Sequence, residues 1–305
     1  MSREISFTKM VGTGNDFLIV DTLRRPAGAL KAQWPAIAQA ICDRRHGIGA
    51  DGLLVLEPSQ DADARMRVFN PDGSEAEMCG NGARCVARFL DHALKPRSGQ
   101  VRIETAGGLL MARVNRDRVA IQMPDPTELQ PDLTAHVGAR QLQLGFVNTG
   151  VPHAVVPVAD LDRVDVAHLG RQLRTHRMFQ PRGANVDFIE AQRGAANRLR
   201  IRTYERGVEG ETLACGTGVT AAAVLYALRL GHHRSIARPA AHRIVVEVKS
   251  GETLFVSLKV QRHGNTCRVT DVTLDGAVRW ICRGTFAWPT GSGSHRSTRT
   301  AKVVA

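Results

Sequence analysis

The sequence predicts an α+β fold of two pseudo-symmetric domains, each a strongly curved mixed or antiparallel sheet wrapped around one central helix. Three observations predict it. Strand-like segments bounded by turn residues recur along most of the 305 residues, and the two most helix-like segments each follow a cysteine. The two parts of the chain that hold these helices also resemble one another. A chain of this length is longer than a single hydrophobic core usually supports, which favours two domains.

The resemblance between the two parts has the form of an internal repeat. EAEMCGNGARCVARFL, from Glu75, resembles ETLACGTGVTAAAVLY, from Glu211, and this places Cys79 and Cys215 136 residues apart. The same spacing relates further pairs, namely Thr13-Gly14 with Thr149-Gly150, Gly47 with Gly183, and Asp51 with Asp187. A single spacing that recurs over about 70 residues predicts duplicated halves.

In each half, strands precede the helix. MRVFN and IRTYE alternate polar and apolar residues, as half-buried strands do, whereas FLIVD, LLVLE and VDFIE are short apolar runs bounded by turn residues. RIVVEVK and TLFVSLKV predict further strands after the second helix. The order of strands then helix therefore repeats.

After each cysteine the apolar spacing becomes helical. In the first half the recurring residues are Ala83, Val86, Ala87, Leu90 and Leu94, and in the second half they are Val219, Ala222, Ala223, Tyr226 and Leu230. The second segment is apolar nearly all round, which predicts a helix buried inside its own domain.

The predicted domains are 1–134, with a closing strand at about 270–283, and 135–269. The boundary is placed in the polar, Pro-containing stretch MPDPTELQPDLTAH. Residues 284–305, which end in TGSGSHRSTRTAKVVA, predict a basic, flexible tail.

Charge and hydropathy exclude several classes of function. The net charge is +12, but residues 226–305 hold 13 Lys and Arg against 4 Asp and Glu, so most of the excess lies in the last quarter, which has no RNA-binding or zinc-finger motif. Nucleic-acid binding is therefore not expected as the main function. No apolar run is long enough to cross a membrane, and the first residues lack the apolar core of a secretory signal. These features predict a cytoplasmic protein.

Two of the six cysteines have a distinctive setting. The cysteines are expected to be reduced thiols, and their spacings match no zinc site, so no metal is expected. Cys79 and Cys215 each precede G-x-G and the first turn of a helix, where free backbone N–H groups bind anions and stabilise a thiolate. One such cysteine is well explained as a small buried residue, but two copies in equivalent places predict a shared function.

Two facing cysteines suit the inversion of an α-carbon. One thiolate removes the α-proton from one face and one thiol delivers a proton to the other, with the roles exchanged in the reverse direction. Two helix N-termini directed at the α-carboxylate would stabilise the carbanion electrostatically. The sequence has no P-loop and no dinucleotide-binding glycine motif, so no cofactor is expected.

These motifs resemble those of the diaminopimelate epimerase family. The matching segments are FTKMVGTGNDFLIVD (7–21), RRHGIGADGLLVLE (44–57), FNPDGSEAEMCGNGARCVARF (69–89), NTGVPHAVV (148–156), GANVDFIE (183–190) and YERGVEGETLACGTGVTAAA (204–223), with VTLDGAVRW near 272–280 as a closing strand. The resemblance implies interconversion of LL- and meso-diaminopimelate without pyridoxal phosphate, a diamino diacid substrate used in lysine and peptidoglycan precursor biosynthesis, and a homodimer.

The resemblance also implies roles for individual residues. Cys79 and Cys215 would be the acid and base, and the N–H groups of Gly80, Asn81, Gly216 and Thr217 would hold the reacting carboxylate. Glu205 would bind the reacting ammonium and take part in cysteine protonation, and His153 would lie near the thiols. The distal end of the substrate would be held by Arg206, Asn70 and Asn185, with Asn15 orienting the molecule.

Taken singly, several of these residues have simpler explanations. Arg206 could form a surface ion pair, the asparagines are typical turn residues, and His153 could be a loop histidine. Cys85 is expected in the core. Where many family members have an Asn and a Gln, this chain has Val151 and Gly52, and its ERGVEGET is one residue longer. The loss of the two amides at Val151 and Gly52 predicts weaker recognition of the distal polar end.

Two other functions compete with this one. A related racemase acting on proline, hydroxyproline or histidine would also use two cysteines, but proline-type enzymes usually lack the YERG and GNDF motifs that this chain has. A non-catalytic binding protein or a basic nucleic-acid-binding module would have no need of an acid/base pair. Diaminopimelate epimerisation is therefore the favoured function.

Overall fold

The protein is described by a computed structural model that covers residues 2–24, 28–96, 98–192, 194–230, 240–263, 266–289 and 301–304. It divides into two compact units: unit 1, residues 1–121 and 277–305, and unit 2, residues 122–276. Both units are rich in strands and contain few helices, which confirms the α+β class. Within these ranges, no helix has the length and apolar character needed to span a membrane.

Unit 1 is a mixed sheet with two α-helices. Its strands are β1 (Ser2–Gly12), β2 (Asn15–Asp21), β3 (Gly52–Glu57), β4 (Ala64–Phe69), β5 (Glu75–Ala76), β6 (Gln100–Thr105), β7 (Gly108–Asn115) and β8 (Arg118–Gln122). A 3-10 turn at Gly28–Gln33 leads into helix α1 (Trp34–Cys42), and helix α2 is Gly80–Leu94. The pairs β2–β3 and β4–β6 are parallel, whereas β1–β2, β3–β4 and β6–β7 are antiparallel.

Unit 2 repeats this plan. Its strands are β9 (Thr127–Val137), β10 (Arg140–Asn148), β11 (Pro152–Pro157), β12 (Asn185–Ala191), β13 (Arg198–Glu205), β14 (Gly210–Thr212), β15 (Ala240–Glu247) and β16 (Thr253–His263). Its helices are α3 (Val166–Arg174), a 3-10 turn at Arg177–Phe179, and α4 (Gly216–Leu230). Here β11–β12 and β13–β15 are parallel, and β10–β11, β12–β13 and β15–β16 are antiparallel.

One long strand, β17 (Thr266–Pro289), contributes to both units. Its residues 266–275 pair with β16 of unit 2, and its residues 278–289 pair with β1 of unit 1. A short strand, β18 (Ala301–Val304), pairs with β17 over residues 283–286.

A central helix packs against the strands of each unit. Helix α2 contacts β1, β2, β4, β6 and β7, and helix α4 contacts β10 to β13, β15 and β16. Ala83, Val86, Ala87 and Leu90 of α2 are buried, as their spacing predicts, whereas Leu94 at the end of the helix is 47% exposed. Helix α4 is buried on nearly every side, because the sheet of unit 2 surrounds it.

The two units correspond strand for strand, but not at one constant spacing. Phe17 of β2 pairs with Gly52, and the corresponding pair in unit 2 is His153 with Asn185. The spacing between counterparts is therefore 136 residues where β2 corresponds to β11, but 133 residues where β3 corresponds to β12. At the two cysteines it is 136 again. The expected pairing of Asp51 with Asp187 is therefore wrong, because the connection before the second strand is shorter in unit 2. Gly47 and Gly183 lie within these connections, so the strand pairing does not test their correspondence. Leu54 is the counterpart of Asp187.

The division between the units lies earlier than expected, at 121/122 rather than 134/135. The Pro-containing stretch that suggested a linker forms strand β9, which pairs with β10. A register shift between the Phe146 and Leu144 pairs accommodates Pro131, which has no N–H to donate.

The predicted tail is wrong over residues 284–289. Strand β17 continues through them, and Phe286 and Trp288 are buried in the core of unit 1 at 1% and 4% exposure. The alternating aromatic residues of TFAWP carried this signal, which the basic composition of the following residues obscured. The rest of the predicted tail, apart from 301–304, lies outside the described residues.

Candidate active site

Cys79 is the N-cap residue of helix α2. Its backbone is extended, its carbonyl oxygen accepts the N–H of Ala83 at 2.8 Å, and its Sγ accepts the N–H of Gly82 at 3.4 Å. The N–H groups of Gly80 and Asn81 belong to the first helical turn, where they have no intrahelical acceptor. The sulfur therefore lies at the positive end of the helix dipole.

A row of hydrogen-bonded side chains joins this helix start to the β1–β2 turn. The Arg84 guanidinium, which is wholly buried, donates to Asn81 Oδ1 at 2.6 Å, and Asn81 Nδ2 donates to Asn15 Oδ1 at 2.6 Å. Asn15 Nδ2 then donates to the Asp51 carboxylate at 2.9 Å. Because a cation begins the row and a carboxylate ends it, the orientation of both amides is fixed. The structure thus brings together Asn15 and Asn81, two of the predicted site residues.

Cys215 occupies the same place before helix α4. Its carbonyl oxygen accepts the N–H of Val219 at 2.9 Å, and its Sγ lies 3.3 Å from Thr217 Oγ1. Cys215 is buried, and burial raises the pKa of its thiol well above the usual range. The nearby carboxyl groups of Glu205 and Asp187 raise that pKa further, because a second negative charge is unfavourable there.

His153 and Asp187 form a buried pair on neighbouring strands of unit 2. His153 Nδ1 lies 2.7 Å from Asp187 Oδ2, and both side chains are fully buried. The other ring nitrogen, Nε2, lies 2.9 Å from Thr217 Oγ1 and 3.3 Å from Asn185 Nδ2. Thr203 donates its hydroxyl to Asp187 Oδ1 at 2.7 Å. Hydrogen bonds thus connect the predicted residues His153, Asn185 and Thr217 to Cys215.

The corresponding positions of unit 1 are apolar. Leu54 and Val68 form a cross-strand pair there, and Asp187 and Thr203 form the equivalent pair in unit 2. The two central helices confirm the equivalence. A Cβ on Gly82 would lie 3.2 Å from the Leu54 side chain, and one on Gly218 would collide with the Asp187 carboxylate. The two cysteines therefore have matching backbones but different chemical surroundings.

Glu205, Arg206 and Asn70 lie at the ends of strands. Glu205 is the last residue of β13, and burial raises the pKa of its carboxyl group. The backbone N–H of Arg206 donates to Asn185 Oδ1 at 2.7 Å, and its guanidinium donates to the Arg182 carbonyl at 3.3 Å. Asn70 follows β4, is exposed, and donates from Nδ2 to Ser74 Oγ at 2.9 Å.

Comparison with known proteins gives the family of this chain. The family model described as diaminopimelate epimerase matches residues 7–128 and 145–274. The chain belongs to the diaminopimelate epimerase family. A diaminopimelate epimerase of Aquifex aeolicus (strain VF5) is 40% identical over 236 residues, which cover 74% of this chain and 82% of that protein. One of Gemmatimonas aurantiaca is 38% identical over 288 residues, which cover 93% and 99%.

Solved structures similar to this member of the diaminopimelate epimerase family include more distant proteins. A phenazine biosynthesis protein of the PhzF family from Bacillus anthracis has a TM-score of 0.69 at 16% identity and covers 93% of this chain and 99% of its own. A hydroxyproline epimerase from Agrobacterium vitis has a TM-score of 0.64 at 17% identity, with coverage of 93% and 91%. At such low identity these likenesses show the fold alone.

Several residues at the site of this diaminopimelate epimerase family member were not predicted as site residues. They are Thr13, whose hydroxyl oxygen accepts from the Arg84 guanidinium, together with Asp51, Arg84, Asp187 and Thr203. One of them carried a signal in the sequence. Asp187 is a charged residue inside the apolar run VDFIE, and a charge buried in a strand needs a specific reason. Arg84 gave no such signal, because it lies outside the stripe that Ala83, Val86, Ala87 and Leu90 form on α2. The expectation that Cys85 is a core residue is confirmed, since it is fully buried.

The departures from the common pattern of the diaminopimelate epimerase family have local explanations. A Cβ at Gly52 would lie 3.2 Å from the Phe69 carbonyl oxygen and 3.4 Å from the Phe17 ring, so a larger side chain here would crowd both neighbours. The extra residue of ERGVEGET lies in the turn after Arg206, where Val208 is 61% exposed. Over the described ranges, no group of three or more His, Cys, Asp or Glu residues could hold a metal ion.

Proposed function

We propose that this chain catalyses the interconversion of LL- and meso-diaminopimelate, with Cys79 and Cys215 as its acid/base pair. Membership of an epimerase family makes the chain an isomerase. One structural observation carries the assignment of the two residues: each unit places one cysteine at equivalent positions before the first turn of its central helix. A two-base inversion needs two proton carriers of this kind, one for each face of the α-carbon.

The reaction requires the α-proton to leave as a proton while its bonding electrons stay on the carbon. In the proposed mechanism one cysteine thiolate takes this proton, and the other cysteine delivers its own from the opposite face. The N–H groups of Gly80, Asn81, Gly216 and Thr217 hold the α-carboxylate, onto which the charge of the carbanion is delocalised. Helix dipoles favour that charge, which supports inversion without an added electron sink.

The other predicted residues are assigned to the two ends of the substrate. Glu205 binds the reacting ammonium, because its half-buried carboxyl at the end of β13 is close enough to Cys215 to affect the pKa of the thiol. Arg206, Asn70, Asn185 and Asn15 are assigned to the remaining polar groups. The guanidinium of Arg206 suits a distal carboxylate, to which it can donate two hydrogen bonds. Asn185 already uses its amide oxygen and one amide N–H within the protein, so it offers substrate at most one N–H.

Isotope exchange tests this function. LL-diaminopimelate incubated with reduced enzyme in D2O should yield the meso isomer with deuterium at one α-carbon, measured by NMR and mass spectrometry. The variants Cys79→Ala and Cys215→Ala are the matched controls and should give no meso product. Absence of both inversion and exchange in the reduced wild-type protein would rule out the proposal.

A panel of amino acids tests the substrate. Proline, trans-4-hydroxyproline, histidine and lysine should give no α-deuterium under conditions in which diaminopimelate is fully exchanged. Turnover of a cyclic imino acid at a rate equal to or above that of diaminopimelate would move the chain to the alternative group of racemases.

The proposal also covers the cellular location and the oligomeric state of the enzyme. We place the enzyme in the cytoplasm, in the formation of lysine and peptidoglycan precursors, as a homodimer. Light scattering at micromolar concentration should give about twice the chain mass of 33.2 kDa. A single species at the chain mass, with full activity, would remove the dimer from the proposal.

A further inference from the structure

The contacts of His153 fix its tautomer. Asn185 Oδ1 accepts the backbone N–H of Arg206, so the amide nitrogen of Asn185 is the atom that faces His153 Nε2. An amide nitrogen only donates, so Nε2 must accept. The proton of the neutral ring is then on Nδ1, where it is donated to the Asp187 carboxylate at 2.7 Å.

This tautomer orients the Thr217 hydroxyl as well. Because Nε2 is an acceptor, Thr217 donates its O–H to Nε2 at 2.9 Å, and the lone pairs of Thr217 Oγ1 remain available. Cys215 Sγ lies 3.3 Å from that oxygen, so the thiol donates its S–H to Thr217. Each hydrogen bond in the row from Cys215 through Thr217 and His153 to Asp187 then points in the same direction.

We propose that the Thr217 hydroxyl relays the proton of Cys215 to His153, and that Asp187 holds His153 in the tautomer that can receive it. The proposal rests on the proposed function of Cys215 as an acid/base residue. In the relay the S–H bond breaks as its proton goes to Thr217 Oγ1, while the original hydroxyl proton of Thr217 goes to Nε2. The products are a thiolate, a restored hydroxyl and an imidazolium beside Asp187, and the reverse steps return the proton.

Cys215 needs such a partner more than an exposed thiol would. Burial and the carboxyl groups of Glu205 and Asp187 raise the pKa of the thiol, so few molecules would hold a thiolate without a base next to it. The titratable groups that face Cys215 from neighbouring strands are those of His153, Asp187 and Glu205. Only His153 is joined to Sγ through a hydroxyl, and a bridge of this kind transfers a proton without contact between the two end groups.

The fold does not require polar residues at the positions of His153, Asp187 and Thr203. In unit 1 the corresponding strand residues are Phe17, Leu54 and Val68, which are apolar. Buried polar side chains are costly unless every one is hydrogen-bonded, and an apolar set is a stable alternative at these positions. The polar set in unit 2 therefore serves a purpose beyond packing.

Thr217→Val tests the relay, since valine keeps the shape and the backbone N–H of residue 217 but has no hydroxyl. We expect kcat/KM to fall by about 10- to 100-fold, and equally in both directions, because the equilibrium constant of the reaction is unchanged. Thr217→Ser should stay within about threefold of wild type, since it restores the hydroxyl. Thr220→Val, which removes a buried hydroxyl from the same helix, is the control and should leave kcat unchanged. Equal activity of the Val and Ser variants at position 217 would overturn the relay.

NMR tests the tautomer independently of any substrate. In protein labelled with 15N at histidine, the His153 signals, identified by their loss in His153→Gln, should show a protonated Nδ1 and an unprotonated Nε2 at pH 8. Asp187→Asn should alter this pattern, while Thr220→Val should not. A protonated Nε2 in the wild-type protein would overturn the proposal even if epimerisation is observed. If diaminopimelate is not a substrate, the NMR result still decides the relay, so the two failures can be told apart.

Discussion

Asp187 and Leu54 occupy corresponding positions in the two units, each against the glycine that is the third residue of the central helix. Leu54 packs against Gly82, whereas Asp187 lies where a Cβ of Gly218 would be and is hydrogen-bonded to His153 at 2.7 Å. One backbone arrangement thus supports an apolar contact beside Cys79 and a buried acid beside Cys215. The difference between the two cysteines follows from the side chains around the helix start and not from its backbone.

His153, Asp187 and Thr203 form a buried, hydrogen-bonded polar set in unit 2, and the stability of the protein should fall strongly when one of them is replaced. Asp187→Leu leaves the N–H of His153 and the hydroxyl of Thr203 without an acceptor, so we expect a loss of roughly 2–5 kcal/mol in the free energy of unfolding. The triple variant His153→Phe, Asp187→Leu, Thr203→Val copies the unit 1 residues and should recover at least half of that loss. Urea unfolding measures both. A triple variant less stable than Asp187→Leu would contradict the equivalence of the two positions.

The two helix-start glycines should differ in their tolerance of alanine. In Gly218→Ala the new methyl group meets the Asp187 carboxylate, so we expect a loss of about 1–3 kcal/mol in stability together with lower kcat. In Gly82→Ala the methyl group meets the flexible end of Leu54 at 3.2 Å, and the loss should be smaller. Thermal unfolding of the two variants measures both losses of stability. Equal losses would show that the Asp187 carboxylate moves away from the new methyl group as easily as the Leu54 side chain does, which would contradict this prediction.

The three cysteines nearest the helix starts should separate into two groups. Cys79→Ala and Cys215→Ala should each lower kcat by at least about 10³-fold with little change in stability, since general acid/base groups contribute on this scale. Cys85→Ala removes a fully buried side chain next to Gly12 and should cost about 1 kcal/mol of stability with kcat within about threefold. Steady-state kinetics would measure kcat of the three variants, and unfolding curves would measure their stability. A Cys85→Ala variant that is fully folded but inactive would contradict this division.

Glu205 should make stability depend on pH. Burial raises the pKa of its carboxyl group above the ordinary value of 4.5, so the folded protein binds this proton more tightly than the unfolded chain does. Its contribution to stability is therefore present below the ordinary value and is lost as pH rises through the raised one. Glu205→Gln cannot titrate, so its stability relative to wild type should increase as pH rises above the ordinary pKa of a glutamate. Urea unfolding at several pH values measures this difference, and a constant or declining difference would contradict the raised pKa.

Much of the fold is readable from local sequence patterns. The strand segments and both central helices follow from apolar spacing, because the residues of a buried face are apolar and recur with the period of the strand or helix. The placement of Cys79 and Cys215 at helix starts follows from the glycines and the change of period. The end of strand β17 was missed because the composition of the residues after it is that of a tail, although Phe286 and Trp288 alternate as strand residues do.

The site residues that sequence reasoning missed depend on contacts between distant strands. Nothing local to Thr203 shows that it donates to Asp187, and the register that pairs them comes from the sheet as a whole. The constant spacing assumed for the repeat also concealed the counterpart of Asp187, because the connection that precedes the second strand differs in length between the units. Local patterns cannot show such a shift until strand pairing is known.

Strand β17 sets an order for synthesis on the ribosome. Strand β1 is made first, yet its partner residues 278–289 emerge only after the whole of unit 2 has been translated. A nascent chain therefore holds the outer edge of its first strand unpaired while the later unit can already close, and an unpaired edge is a site of aggregation. Of the two units, the one whose strands are made earlier is therefore the last to be completed, and a chain that stopped before residue 278 would hold one finished unit and one unfinished one.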